Sequence, residues 1–283
     1  MSPYVCQYFL LNFDSAGRIS GSVGKNGLNV LYSPGCIDPS CEDPHGFEDA
    51  VITAKLADVV IFVYGLGPNI ESEGRDRKVL ELPGLQNNLL DQIRKNVSVP
   101  IVGVLIHGGS IALGDSVKNV DALIDAWYPG MQGGTAIADV LFGNYNPGGR
   151  TPQTWYMSTD QLPDMSSMDM YEKNGRTYRF FKGNVQFPFG YGLSYTTFGY
   201  TNLNVFPTLI SACDPITVSV NVTNTGKVAG DEVIQVYVKT PNATVPAPNV
   251  RLAAFERISL QPYEWKMVSF TILPRDHTVI HTG

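Results

Sequence analysis

Charge is scarce in this chain. Asp, Glu, Lys and Arg make up 16 % of its 283 residues while hydrophobic residues reach 43 %; soluble domains usually carry roughly 25 % charge. That balance excludes a disordered acidic or basic chain. A basic surface is lacking too. Lys plus Arg number 20 and Asp plus Glu 26, a net charge of −6, so no electrostatic footprint for nucleic acid exists and none is expected as a partner. No apolar run approaches the roughly 18 residues of a membrane span, so no membrane partner is expected. Histidine is sparse, and His45, His107, His277 and His281 are scattered. Without HExxH or a CxxC pair, no metal and no cofactor is expected. A GxxxxGK[ST] phosphate loop and a GxSxG nucleophile elbow are both missing. Gly65-Leu66-Gly67 follows a strand-like run but lacks the third glycine of a dinucleotide fingerprint.

Glycine and proline are plentiful, 28 and 19 residues, but follow no collagen period. Two of the four cysteines, Cys36 and Cys41, stand in the turn-rich stretch GCIDPSCEDPHG. A short-loop disulfide there is one reading and a pair of free thiols the other. Cys6 and Cys213 have no evident partner. Acceptor triplets for N-glycosylation begin at Asn96, Asn221 and Asn242. Residues 1–11 lack the charged start of a signal peptide. The expectation is an extracellular, secreted parent protein with no signal peptide in this chain.

The first half alternates short apolar runs with helical patterns. Strand-like runs are 28–32 (LNVLY), 59–64 (VVIFVY), 100–106 (PIVGVLI) and 122–127 (ALIDAW). Helical patterns cover 47–56, a segment opened by Pro83 with Leu85, Leu89 and Ile93 on one face, and 135–142. Alternation of this kind predicts an α/β sandwich with a mostly parallel sheet. Ligands of such sheets sit beyond the carboxyl ends of the strands, here in the loops after Tyr64, Ile106 and Trp127. The pattern changes after Arg150. Residues 151–200 read as a connector rich in aromatics, Gly and Pro, packed on the sandwich. From 201 to 283 only β patterns remain, at 216–222, 233–238 and 267–272, with turns at 224–226 and 229–231; a small β-sandwich follows. Residues 1–27 form an atypical N-terminal segment ahead of a 28–150 α/β domain.

The acidic stretch after the second buried strand, GLGPNIESEGRDR, holds Glu71, Glu73 and Asp76 against Arg75 and Arg77. One reading is a solvated, self-neutralising loop. The other is a carboxyl projected from the ligand end of the sheet as a general acid. In an extended loop Glu71 and Glu73 point to one side, so spacing does not choose between them.

Three tracts carry a resemblance: 65–83 (GLGPNIESEGRDRKVLELP), 127–150 (WYPGMQGGTAIADVLFGNYNPGGR) and 175–198 (GRTYRFFKGNVQFPFGYGLSYTTF). From about residue 28 onward the chain resembles the C-terminal part of glycoside hydrolase family 3, of the β-xylosidase and β-glucosidase type. The resemblance implies an α/β sandwich followed by a fibronectin type III-like domain. It implies a retaining, exo-acting β-xylosidase (xylan 1,4-β-xylosidase) or β-glucosidase acting on a β-linked oligosaccharide or glycoside. Glu71 is then the acid/base, with Glu73 second, while the Asp nucleophile belongs to an N-terminal barrel missing from these residues. Little or no turnover by this chain alone is the consequence. A non-catalytic carbohydrate-binding or scaffold fragment is the alternative. Arg75, Asp76 and Arg77 are expected to brace the loop by ion pairing.

Overall fold

The computed structural model describes residues 8–12, 29–243 and 245–278. Most of the 1–27 segment, Cys6, Thr244 and His281 lie outside the described residues. The chain divides into two units: Met1–Ala138 with Tyr156–Thr159, and Asp139–Trp155 with Asp160–Gly283.

The first unit holds β1 (Tyr8–Asn12), β2 (Asn29–Ser33), α1 (Phe47–Ala54), β3 (Val59–Gly65), α2 (Gln86–Asn96), β4 (Ile101–Ile106) and β5 (Ala122–Asp125); α3 (Gly133–Leu141) begins within it. The sheet order is β2-β1-β3-β4-β5. β3, β4 and β5 pair in parallel, with Val60 opposite Ile101 and Val102 opposite Ala122. β1 runs antiparallel to both β2 and β3, so four strands share one direction and the inserted strand opposes them. β3 and β4 read as unbroken apolar runs because both faces are covered: Val60, Phe62, Ile101, Val104 and Leu105 are buried without measurable exposure. Cys36 and Cys41 form a disulfide across the loop before α1.

Helix α2 begins three residues later than Pro83 suggests. Gly84, at φ 58, turns the chain first, and a Cβ there would lie 1.8 Å from the Ser40 carbonyl oxygen. The first residue of α2, Gln86, is fully buried. Its Oε1 accepts from the Gly65 N–H at 2.8 Å, and its Nε2 donates to the carbonyls of Gly65 at 2.8 Å and Pro39 at 2.6 Å. One amide side chain thus ties the end of β3, the disulfide loop and α2 together.

The second unit contains β6 (Trp155–Tyr156) in part, then α4 (Thr177–Phe180), β7 (Val185–Phe187), β8 (Phe198–Phe206), β9 (Ile216–Asn224), β10 (Gly230–Val238), β11 (Arg251–Leu260), β12 (Trp265–Ile272) and α5 (Pro274–His277). One sheet pairs β10 with β11; the other has the order β12-β9-β8. Every second residue faces inward, and Val220, Val222, Ile234, Ile258, Leu260, Val268, Phe270 and Ile272 form the core. The turn expected at 229–231 is replaced by strand. Gly230 and Asp231 open β10, and Asp231 accepts hydrogen bonds across the ladder from Arg257 and Ser259. The expected connector 151–200 falls largely within this unit. Asn146 accepts from Ser194 and from the Tyr195 N–H, Thr151 exchanges backbone hydrogen bonds with Gly190 and Tyr191, and Arg150 pairs with Glu232 at 2.6 Å.

Candidate active site

Residues 66–82 leave the carboxyl end of β3 and are fastened at both ends. At the start, the Leu66 N–H donates to the Ile106 carbonyl at 2.7 Å beside the Gln86 clamp. At the finish, the Ala112 N–H donates to Leu80, while Glu81 accepts from the backbone and hydroxyl of Thr159 at 2.9 and 2.7 Å. Between these anchors Ser72 and Arg75 exchange backbone hydrogen bonds, closing a tight turn with Glu73 and Gly74 at its tip. Gly74 stands at φ 74, which suits such a tip.

The turn overturns the extended-loop expectation that Glu71 and Glu73 share a side. Glu71 points into the protein. Its Oε2 accepts from Arg77 Nε at 2.8 Å, and its Oε1 from the Gly108 N–H at 2.9 Å and the Tyr128 hydroxyl at 3.1 Å. Arg77 in turn donates to the Ser110 and Leu80 carbonyls. Glu73 is exposed, and no hydrogen bond or ion pair holds its carboxyl among the described residues. Arg75 donates to the Asn69 carbonyl rather than to a carboxylate. Of the expected braces, Arg77 alone pairs with an acid of the loop.

Partial burial by itself would raise the Glu71 carboxyl. The Arg77 hydrogen bond and charge, the Gly108 N–H and the Tyr128 hydroxyl outweigh it, holding the group below the ordinary carboxylate range. Burial, then the charge of Glu71, push the Tyr128 phenol up to about 12. This environment favours the carboxylate form of Glu71. Because the folded-state value is depressed, the contribution of Glu71 to stability is complete above the ordinary carboxylate pKa and is lost as pH falls through the folded value. Urea unfolding across pH 7 to 3 is therefore expected to show Glu71→Gln well below wild type near neutrality, with the gap closing in acid.

Beside this carboxylate the ends of β4 and β5 are joined by a group that sequence reading missed. His107, fully buried, places Nε2 at 2.5 Å from Asp125 Oδ1 and Nδ1 at 2.6 Å from the Gly109 carbonyl. Trp127 donates to Asp125 Oδ2 at 3.2 Å and adopts φ 53, unusual for a residue with a side chain. A histidine directly after a buried strand and before two glycines was the available signal. Gly108 is required here by space: a Cβ would lie 2.6 Å from the Tyr128 ring and 3.0 Å from Glu71 Oε1. Gly108→Ala is expected to push both side chains aside and lower the melting temperature more than Gly109→Ala, whose Cβ meets only Arg77 at 3.4 Å.

A cleft of about 680 Å³ opens along α2, lined among others by Asp91, Arg94, Asp115, Lys118 and Met157 and by none of residues 66–77. Several of its polar groups are engaged: Lys118 pairs with Asp115, Arg94 pairs with Asp121, and Asn119 donates to Asp91. The acidic loop, which carries the sequence-predicted carboxyls, lies outside this cleft and is the candidate site. Among the described residues no group of three or more His, Cys, Asp or Glu side chains gathers to hold a metal, and no helix is long and apolar enough to cross a membrane. Asn96 closes α2, Asn221 sits within β9, and Asn242 is exposed between β10 and β11. Cys213 is a free, exposed thiol.

Residues 14–195 match the glycosyl hydrolase family 3 C-terminal domain, and residues 232–283 a fibronectin type III-like domain. The chain belongs to glycosyl hydrolase family 3. The match takes in residues 14–27 as well, ahead of the tracts that carry the resemblance. A β-xylosidase of Formosa agariphila is 39 % identical over 252 residues, covering 88 % of this chain and 34 % of that protein. A periplasmic β-glucosidase of Salmonella typhimurium is 38 % identical over 87 % of this chain and 33 % of its own length. Among solved structures, the family 3 exo-β-xylosidase XlnD, in complex with a xylobiose aziridine activity-based probe, superposes with a TM-score of 0.78 at 30 % identity, over 88 % of this chain and 36 % of that one. The family 3 chain described here thus spans about a third of the length of the relatives it matches.

Proposed function

We propose that this chain supplies the acid/base carboxyl to a retaining, exo-acting β-glycosidase of the β-xylosidase or β-glucosidase type, and that Glu73, rather than Glu71, is that group. The observation that carries the reading is the division of labour within one turn. Glu71 is locked as a carboxylate by Arg77, Gly108 and Tyr128, whereas Glu73 stands uncommitted at the tip of a loop pinned at both ends. Retaining hydrolysis needs two carboxyls roughly 5–5.5 Å apart. The acid protonates the leaving glycosidic oxygen while the second carboxylate attacks the anomeric carbon. The acid, now a carboxylate, then takes a proton from the water that releases the sugar. We place the second carboxylate on a barrel domain outside this chain, as the family resemblance implies. The parent then works in an extracellular or periplasmic setting, a reading supported by the Cys36–Cys41 disulfide.

Half of a two-carboxylate site forms no glycosyl intermediate. The purified chain is therefore expected to melt cooperatively yet release no nitrophenol from aryl β-xylosides or β-glucosides. Turnover that persists through repurification would refute the half-site reading. Heat on titrating xylo- or cello-oligosaccharides into the same inactive sample would favour the carbohydrate-binding alternative.

A further inference from the structure

Strand β12 of the second unit leaves two large apolar side chains uncovered. In β12, Val268, Phe270 and Ile272 face the core, and the alternate residues Trp265 and Met267 face outward, 60 % and 67 % exposed. The ladder sets Trp265 opposite Thr223 and Met267 opposite Asn221 of β9. Asn221 and Thr223 are the first and third residues of the acceptor triplet Asn221-Val222-Thr223. Strand alternation turns both outward, since the intervening Val222 is in the core. Directly opposed Cβ atoms lie roughly 4.5–5.5 Å apart and diagonal ones roughly 7–8 Å, so both Trp265 and Met267 are within reach of a group attached to Asn221.

We propose that Asn221 carries an N-linked glycan whose first N-acetylglucosamine lies over Trp265 and Met267. The donor is a lipid-diphosphate-linked oligosaccharide. The bond between its anomeric carbon and the diphosphate oxygen breaks, a bond from that carbon to Asn221 Nδ2 forms, and the displaced amide proton leaves with the lipid diphosphate. In the folded chain no side-chain hydrogen bond engages Asn221 among the described residues, so a glycan on its amide displaces no partner. Transfer precedes folding, so position within a strand is no obstacle. Once the sheet closes, the C–H face of the first sugar and its acetyl methyl meet an indole ring and a thioether that otherwise face water. The other residues on this face of β9, Thr217 and Ser219, are small and polar. The inference does not depend on the role assigned to Glu73.

The test is secretion of the full 283-residue chain from a eukaryotic host under a cleavable leader, alongside a known glycoprotein as a control for transfer. The Asn221 peptide is expected to show a glycan mass shift. The chain is then trimmed by an endoglycosidase to a single N-acetylglucosamine and compared with Thr223→Ala, which abolishes the triplet, by acrylamide quenching of tryptophan fluorescence. Trp155 is buried and Trp127 half-buried, so the quenchable signal comes chiefly from the exposed Trp265. Quenching is expected to rise when the sugar is absent, and the difference to vanish in the Trp265→Ser background. An unmodified Asn221 peptide overturns the proposal. So does equal quenching with and without the sugar, or concentration-dependent protection of Trp265 in a glycan-free chain, which would assign the face to a second copy.

Discussion

Glu73→Gln, in a family 3 enzyme assembled around this chain, is expected to lower kcat/KM about 10²–10⁴-fold on xylosides or glucosides with poor leaving groups, the usual worth of a positioned general acid. Aryl glycosides with good leaving groups need little protonation, so their first step is expected to survive while release of the glycosyl intermediate slows. Azide, which needs no base to attack that intermediate, is expected to restore turnover and yield a glycosyl azide. Glu71→Gln should behave differently. It leaves the Arg77 guanidinium without its carboxylate and loosens the turn, so any loss of activity is insensitive to the leaving group and azide restores nothing. Azide rescue of Glu71→Gln with none for Glu73→Gln would reverse the assignment.

Gln86→Leu is expected to destabilise the first unit by about 3–5 kcal/mol, because it removes three hydrogen bonds and strands buried backbone groups. Denaturant unfolding would measure it. Gln86→Glu separates geometry from chemistry. A carboxylate at that place still accepts from the Gly65 N–H but faces the Gly65 and Pro39 carbonyls. Its folded-state pKa is then raised, the folded chain binds the extra proton, and stability falls as pH rises. Gln86→Glu should therefore be weakest at neutral pH and recover in acid, the reverse of the wild-type Glu71 contribution. A flat difference between Gln86→Glu and wild type from pH 7 to 4 would mean that the clamp does not form.

These two substitutions also mark how far sequence reasoning reaches. Gln86 lies on a helical face where Leu89 and Ile93 are visibly apolar, and a polar residue at the head of that face reads as exposed. Its burial follows from Gly84, which turns the chain so that the first residue of α2 meets the end of β3 and the loop around Pro39. Similarly, β8 and β11 carry weak alternation, and Gly230-Asp231 reads as a turn; cross-strand bonds from Arg257 and Ser259 make it a strand start. Local propensity carries no record of such partners, which lie far away along the chain.

Periodicity was enough for β2 to β5 and the helices of the first unit, though not for β1, and for the β9, β10 and β12 strands of the second. Hydrophobic pattern reports burial directly, and burial is what these elements share. Composition likewise showed a net negative charge and no apolar run of membrane-spanning length. The acidic loop was legible as a place but not as a geometry. GLGPNIESEGRDR shows two glutamates and two arginines without showing which acid meets which base. Only the folded chain brings Gly108 from the end of β4 and Tyr128 from beyond β5 onto one oxygen of Glu71, 37 and 57 residues away in sequence. The other glutamate, Glu73, is left exposed at the tip of the turn that the Ser72 and Arg75 backbones close.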